Sequence, residues 1–272
     1  EIKKQIEAES DKVFNKADLS VLGKALKEKN AVLFAGAGMS VQEGFYDWKT
    51  LLKPIAEQLE LDIEEEQHNL PALAQYFVDN QGNVRNALTQ ILVDEYAKTN
   101  NSISENHKIL ARLPIQIYWT TNYDNLIETA LINEGKTPDV KKTNQDLAIN
   151  IPKRDAIVYK MHGDIGTADE TVLTKHEYED YNNTRELFSN AFKSDYVSKT
   201  FLFIGFGFSD PNLDFLISRI RLILSNGTKT GYYFVKVCNL GDSSFRNSRR
   251  EEERVYVGVN EHICSLCADF AD

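Results

Sequence analysis

Three short segments of this chain place chemically useful side chains where the backbone must turn. Gly36-Ala37-Gly38-Met39-Ser40 directly follows the apolar run 31–35. A turn without bulky side chains lets backbone N–H groups approach a pyrophosphate, as at strand-to-helix turns that hold dinucleotides. Val41 stands where the full G-x-G-x-x-G fingerprint needs its last glycine, so the same residues also read as a tight turn with no ligand. Thr120-Thr121-Asn122-Tyr123-Asp124 ends a second run, rich in β-formers. The Asn122 carboxamide donates and accepts, which suits it to orienting a hydroxyl or a water, while Asn and Asp serve equally as helix caps. His162-Gly163-Asp164 ends a third run. An imidazole titrating near neutral pH can act as a general base, and the adjacent glycine leaves room for a substrate; a histidine satisfied within its own turn is the alternative. Each segment is ambiguous alone. Together they are less so, because each terminates an apolar strand and one crevice can then hold all three.

The elements that must position them follow from the apolar pattern. A continuous apolar run meeting glycines reads as a strand buried on both faces, and residues 31–35 fit it. Residues 47–60 carry Leu51, Leu52, Ile55, Ala56 and Leu59 at helical spacing, and helical patterns continue over 70–79, 84–98 and 105–113. This predicts a helical module of about residues 60–113 inserted into the core. Residues 115–119 read as a strand, and Leu126, Ile127, Ala130 and Leu131 resume helical spacing. Strands are predicted again at 156–161, at 200–204 before Gly205-Phe206-Gly207, and at 232–237, with a helix over 212–224. Such alternation predicts an α/β fold, a Rossmann-like doubly wound parallel sheet with functional loops at the carboxyl ends of its strands. Residues 238–272 contain a Ser/Arg/Glu-rich run without periodicity and read as a terminal extension or the stub of a further domain. With no internal repeat and no Pro- or Ser-rich linker, residues 1–272 read as one domain.

Composition narrows the chemistry. The 272 residues hold 31 Lys+Arg against 41 Asp+Glu, a formal charge of −10. That surface repels phosphate backbones, so nucleic acid is not an expected partner, although one small anion held by backbone amides remains compatible. At 42% hydrophobic and 26% charged the chain is an ordinary globular one, and disordered, collagen-like and coiled-coil classes are excluded. Three cysteines, Cys238, Cys264 and Cys267, form no disulfide framework, and the odd count points to a reducing, cytoplasmic location. No apolar run approaches the roughly 18 to 20 residues that cross a bilayer, and the N-terminus shows no export signal, so no membrane partner is expected. The chain starts at Glu1 and not Met, which suggests a segment of a longer protein.

In combination the motifs resemble the sirtuin-like NAD-binding family. Its first motif, G-A-G-x-S, then three residues, then G-x-x-D-aromatic, is similar to Gly36-Ala37-Gly38-Met39-Ser40 and Gly44-Phe45-Tyr46-Asp47-Trp48 around Val41-Gln42-Glu43. Its T-x-N-x-D resembles residues 120–124, its H-G resembles His162-Gly163, and its glycine/serine nucleotide loop looks like Gly205-Phe206-Gly207-Phe208-Ser209. The four stand in family order across residues 31–210. Asn122-Tyr123-Asp124, His162-Gly163-Asp164 and the G-F-G-F-S-D-P-N run at 205–212 resemble most the bacterial antiphage NADase branch.

The resemblance implies NAD as substrate and hydrolysis of its nicotinamide–ribose bond to nicotinamide and ADP-ribose, in antiviral defence. It implies Asn122 and His162 as the catalytic pair, with Asp124 on the nicotinamide carboxamide. Gly36, Ala37, Gly38 and Ser40 would take the pyrophosphate, and Gly205, Phe206 and Ser209 the adenosine side. Asp47 and Thr121 join the binding set, and Trp48 stacks on or shields the reacting ring or else packs in the core. A homo-oligomer is implied as well, with a nucleotide signal or protein activator acting through a domain outside this segment.

The departures from the family are also informative. Its deacylases carry a four-cysteine zinc ribbon after the histidine motif, whereas residues 163–237 contain no cysteine. Cys264 and Cys267, with His262 nearby and Cys238 upstream, make no four-ligand set at structural-zinc spacing, and His68, His107 and His176 have no ligand spacing. No zinc ribbon and no metal are therefore expected. Lys49 replaces the Arg of deacylases, and 40 residues separate Asn122 from His162. Peptide substrates are disfavoured, and a protein deacylase, an ADP-ribosyltransferase or an NAD-binding sensor without turnover remain the alternatives.

Overall fold

The computed structural model of the chain describes residues 16–41, 44–45, 47–82, 84–99, 102–206, 210–224, 233–235 and 255–256. All five residues of Ala31–Ala35 (β1) are buried, because the strand is covered on both faces. Ala31, Leu33 and Ala35 face one apolar cluster, and Val32 and Phe34 face another. Strands Ile117–Thr120 (β2), Pro138–Lys141 (β3), Ala156–Lys160 (β4), Thr200–Ile204 (β5), Tyr233–Val235 (β6) and Val255–Tyr256 (β7) complete the sheet. Its order is β3-β4-β2-β1-β5-β6-β7, and every pairing is parallel.

Helices cover both faces. On one side Leu22, Ala25 and Leu26 of Lys16–Lys27 (α1) pack with Leu110 and Ala111 of Glu105–Arg112 (α6) and Ile127, Ala130 and Leu131 of Leu126–Asn133 (α7). On the other lie Tyr178 of Lys175–Glu179 (α9), Tyr181 of Tyr181–Thr184 (α10), Phe188, Phe192 and Tyr196 of Glu186–Ser198 (α11), and Leu213, Leu216, Ile217 and Ile220 of Pro211–Leu224 (α12). The fold is thus the expected Rossmann-like α/β arrangement. Chain segments leave β1 for one side of the sheet and reach β5 on the other, so the carboxyl ends of β1 and β5 flank a topological switch point, where such sheets bind ligands.

Between β1 and β2 the helices Trp48–Gln58 (α2), Ile63–Glu66 (α3), Leu70–Asn80 (α4) and Asn86–Ala97 (α5) build a third apolar cluster, which Tyr123, Ala168 and Leu173 join from the sheet loops. Helix α6 packs on the sheet.

Some elements differ from expectation. The second strand runs from Ile117 to Thr120 and not over 115–119. β3 carries no apolar run: its Asp139 is buried and neutralised by Lys141 at 2.7 Å and Arg154 at 2.5 Å. Asn144–Leu147 (α8) follows it, opened by a reciprocal Thr143–Asp146 capping box. β7 lies inside the run read as patternless, and the rest of 238–272, with all three cysteines and His262, lies outside the described residues.

Candidate active site

The glycine turn after β1 is pressed against the loop after β5. Gly36 N–H donates to Ile204 O at 2.9 Å and Gly38 N–H to Gly205 O at 2.8 Å. Met39 and Ser40 donate back to Gly36 O and Ala37 O. A Cβ on Gly36 would stand 2.6 Å from Gly205 O, and one on Gly205, whose φ is +63°, would stand 2.5 Å from Met39 N. These glycines therefore serve a backbone-on-backbone contact, and four amides of the turn are engaged within the protein. Ala37, Gly38 and the buried Ser40 line the adjoining cleft.

Asn122 is fixed by its donors. Its Nδ2 donates to Gly36 O and to Ser40 Oγ, each at 3.1 Å. Since a carbonyl only accepts, the amide orientation is settled and Oδ1 is the acceptor left for other work. Ser40 Oγ donates onward to Asp124 Oδ2 at 2.7 Å, and Asp124 Oδ1 takes the Leu126 N–H at 3.0 Å at the start of α7. Asn122 does not cap α7: the N-cap is Asn125, and Asp124, one residue before it, accepts the first helical N–H. Beneath this loop Lys160, fully buried, donates to the carbonyls of Tyr123 and Asp124 and pairs with Asp164 at 2.5 Å and Glu128 at 3.2 Å. Burial pushes the Lys160 pKa down, but the carboxylates of Glu128, Asp164 and Asp124 outweigh it and hold the ammonium charged.

His162 follows β4 and is 2% exposed. Gly163 beside it has φ +91°, and a Cβ there would meet Glu170 O and Thr171 Cα at 3.2 Å, so the turn itself demands glycine. His162 Nδ1 lies 3.3 Å from the Tyr178 hydroxyl, which is 3.2 Å from Asp210 Oδ2. Nε2 approaches the same carboxylate oxygen to 3.3 Å without hydrogen-bond geometry, and it has no hydrogen-bond partner among the described residues. Burial lowers the His162 pKa, the Asp210 carboxylate opposes this, and the Arg185 cation adds to it. The ring is held below its ordinary value and is neutral near pH 7.

These residues line one cleft of about 620 Å³ at the carboxyl edge of β1, β2 and β5, within the roughly 300–1,000 Å³ of small-molecule and cofactor sites. Of the residues singled out in the sequence, the cleft gathers Ala37, Gly38, Ser40, Asp47, Trp48, Thr121, Asn122, Asp124, His162, Gly205 and Phe206. Gly36 lies behind it in the loop contact, and Ser209 lies outside the described residues. Asp47 also caps α2 through Thr50 N at 2.8 Å. Trp48 both lines the cleft and packs, edge-on to Tyr178 at 5.5 Å. Phe206 packs edge-on against Phe34 of the core at 4.8 Å.

Residues 116–257, just over half of the chain, match the family model described as the SIR2-like domain. The chain belongs to the SIR2-like family. The match covers the Asn122, His162 and Gly205 segments and begins after the glycine turn. The NAD(+) hydrolase ThsA of Cytobacillus dafuensis is 49% identical over 247 residues, which are 90% of this chain and 49% of that protein. The NAD(+) hydrolase ThsA of Acinetobacter baumannii (strain 532279) is 48% identical over 221 residues, 81% of this chain and 45% of the relative. Defense-associated sirtuin 2 of Bacillus subtilis is 31% identical over 198 residues, 70% and 19% respectively. The chain spans about half the length of the NAD(+) hydrolases it matches.

The SIR2-like cleft also holds residues that sequence reasoning did not single out. Asp210 stands at the Asp-Pro pair that opens α12 and caps it through Leu213 N at 2.9 Å; a helix-start signal was readable there, but not the approach to His162. Tyr178 belongs to a five-residue helix without an amphipathic pattern. Tyr96, from α5, lines the cleft between Phe45 at 5.5 Å and Tyr123 at 6.3 Å, and His68 lines the same wall. Among the described residues no group of three or more His, Cys, Asp or Glu is placed to hold a metal ion, and no helix is long and apolar enough to cross a membrane.

Proposed function

We propose that this SIR2-like chain hydrolyses NAD at the nicotinamide–ribose bond, releasing nicotinamide and ADP-ribose. The observation that carries the reading is that a buried, neutral His162 and an Asn122 with its amide tied back face one cleft. The pyridinium leaving group becomes neutral on departure, so the site has to stabilise an oxocarbenium-like state and activate water more than it has to supply an acid. In the proposed step a water oxygen bonds to C1′ of the ribose, and the C1′–N bond breaks with its electron pair passing to the ring nitrogen. The water proton goes to His162 Nε2, which is buried and has no hydrogen-bond partner among the described residues, so the step requires water to enter against it; from there the proton passes to solvent. Asn122 Oδ1 orients the water or a ribose hydroxyl. Asp124 acts through Ser40, since both of its oxygens are engaged, or turns to the nicotinamide carboxamide when substrate displaces that contact. Trp48 and Tyr96 shield the reacting ring, and the Gly205-Phe206 side, with Ser209, takes the adenosine.

The names of the relatives, NAD(+) hydrolases and a defence-associated sirtuin, support this reading and a role in defence; NAD depletion in the cytoplasm is our extension of it. In it residues 1–272 act as one catalytic unit, and the inserted module expected over residues 60–113 is drawn at α2–α5, since α6 packs on the sheet. Unrestrained hydrolysis would exhaust a cofactor the cell needs. We therefore assign control to homo-oligomer assembly and to a nucleotide signal or protein activator acting through a region outside these residues.

The full-length protein incubated with NAD is expected to release nicotinamide, with a rate unchanged by chelator. His162→Ala and Asn122→Ala are each expected to lower that rate by on the order of 100-fold or more while remaining folded. A folded variant with near-normal turnover would remove that residue from the mechanism.

A further inference from the structure

One group beside His162 has a property that hydrolysis alone does not require: the Asp210 carboxylate, 3.3 Å from Nε2, favours the charged ring. A neutral imidazole carries one N–H, and an imidazolium carries two. The Tyr178 hydroxyl lies 3.3 Å from Nδ1 and serves the one N–H of the neutral ring, whereas Asp210 Oδ2 lies 3.3 Å from Nε2 outside hydrogen-bond geometry. The Tyr178 hydroxyl donates its own proton to the same Asp210 oxygen, so its oxygen is the acceptor for Nδ1–H. With the ring neutral, Nε2 carries only a lone pair beside the carboxylate; protonation puts a positive charge 3.3 Å from Asp210 Oδ2 and turns that contact into an attraction.

We propose that Asp210 is the positioning residue of His162, holding the ring through Tyr178 and stabilising the imidazolium that forms as His162 takes the proton of the attacking water. This rests on His162 being the proton acceptor of the hydrolysis proposed above. The carboxylate is built to stay in place: its side chain is 10% exposed, and its Oδ1 is anchored by Leu213 N–H in the first turn of α12. That helix N-terminus also favours a negative charge at its cap. The titratable and charged groups facing His162 from the elements around it are Tyr178 from α9, Tyr181 from α10 with its ring 5.8 Å away, Arg185 between α10 and α11, and Asp210. Arg185 opposes a positive charge on the ring and burial opposes it further, so Asp210 is the group that favours it. In a site largely closed to water such a charge acts over little screening. The stabilisation grows as the proton is transferred, which is the condition for lowering a barrier.

The test is the pH dependence of kcat/KM for nicotinamide release by the full-length protein and by Asp210→Asn and Asp210→Ser. Both substitutions retain a side chain that can cap α12 and both remove the charge. The acidic limb, set by deprotonation of His162, is expected to move to lower pH by about one pH unit in both variants. The plateau rate should fall about 10-fold or more because the imidazolium loses its counter-charge. An acidic limb that stays in place or moves upward in the folded variants would overturn the role given to Asp210 and leave hydrolysis by His162 standing. Loss of the folded state in both would assign Asp210 to the fold alone and overturn it too. A wild-type protein that releases no nicotinamide would fail at the earlier step, and this proposal would fall with that reading.

Discussion

In the proposed step the side chain of Asn122 is useful because its neighbours engage Nδ2 and leave Oδ1 as an acceptor. Ser40 is the hinge of that arrangement: its hydroxyl accepts from Asn122 Nδ2 and donates to Asp124 Oδ2. Ser40→Ala removes both contacts with no change in backbone, and the carboxamide keeps only Gly36 O as its guide. Turnover is expected to fall about 10-fold, with a stability loss of about 1–3 kcal/mol because a buried carboxylate oxygen loses its donor. Steady-state kinetics beside urea unfolding check both numbers, and unaltered kinetics would show that Asn122 needs no such guide. Asn122 and His162 were legible in the sequence because each ends an apolar strand, where a sheet exposes ligand contacts. Asp210 and Tyr178 were not, since their relevance comes from a fold that brings residues 162, 178 and 210 into one triangle.

At the level of elements, what positions the cleft is the contact between the loops after β1 and β5. Gly205 sits in the left-handed region with Met39 N in the space a side chain would need, whereas Gly82, also left-handed at φ +71°, has nothing within 4 Å of an added Cβ. Gly82→Ala is therefore expected to cost only the backbone term, on the order of 1 kcal/mol. Gly205→Ala adds an overlap that must part the two loops, and should cost about 2 kcal/mol more. Thermal unfolding of the two variants compares them directly, and equal midpoints would mean the loops yield easily. The strands at this edge were readable because β1, β4 and β5 are apolar runs. β3 was not, because in Pro138-Asp139-Val140-Lys141 the Asp139 charge meets Lys141 and Arg154 only once folded. Phe188, Phe192 and Tyr196 carry the four-residue spacing that marks α11, although polar residues dilute it. The turn shows the limit of motif reading. Its glycines fit a phosphate-binding pattern, yet a backbone contact from residue 205 accounts for them, and sequence spacing cannot display that neighbour.

Over the whole molecule, the burial of His162 has a consequence for stability. Its folded pKa lies below the ordinary value of 6.5, so on acidification the unfolded chain takes up a proton first, at about 6.5, while the folded protein does not. Between those two values the unfolded state binds more protons, and stability falls as pH falls. Asp164 and Asp139 act in the same direction lower down. Burial raises the pKa of each, but Lys160 outweighs it at Asp164 and Lys141 with Arg154 outweigh it at Asp139. Their stabilisation is present above about 3.8 and is lost as pH falls through their lower folded values. Glu128 runs the other way: burial raises its pKa above 4.5 against the pull of Lys160, so acidification through that window favours the folded state. Because these contributions overlap, the His162 part is read as a difference. His162→Gln retains a polar side chain that does not titrate. From pH 7.5 to 5.0 the wild type is expected to lose more stability than His162→Gln, with the excess accumulating below about 6.5 at up to 1.4 kcal/mol per pH unit. Urea unfolding of both proteins at a series of pH values measures it. Parallel pH profiles would mean that His162 is protonated as readily in the folded protein as in the unfolded chain, and the neutral, proton-accepting imidazole on which the proposed hydrolysis depends would lose its physical basis.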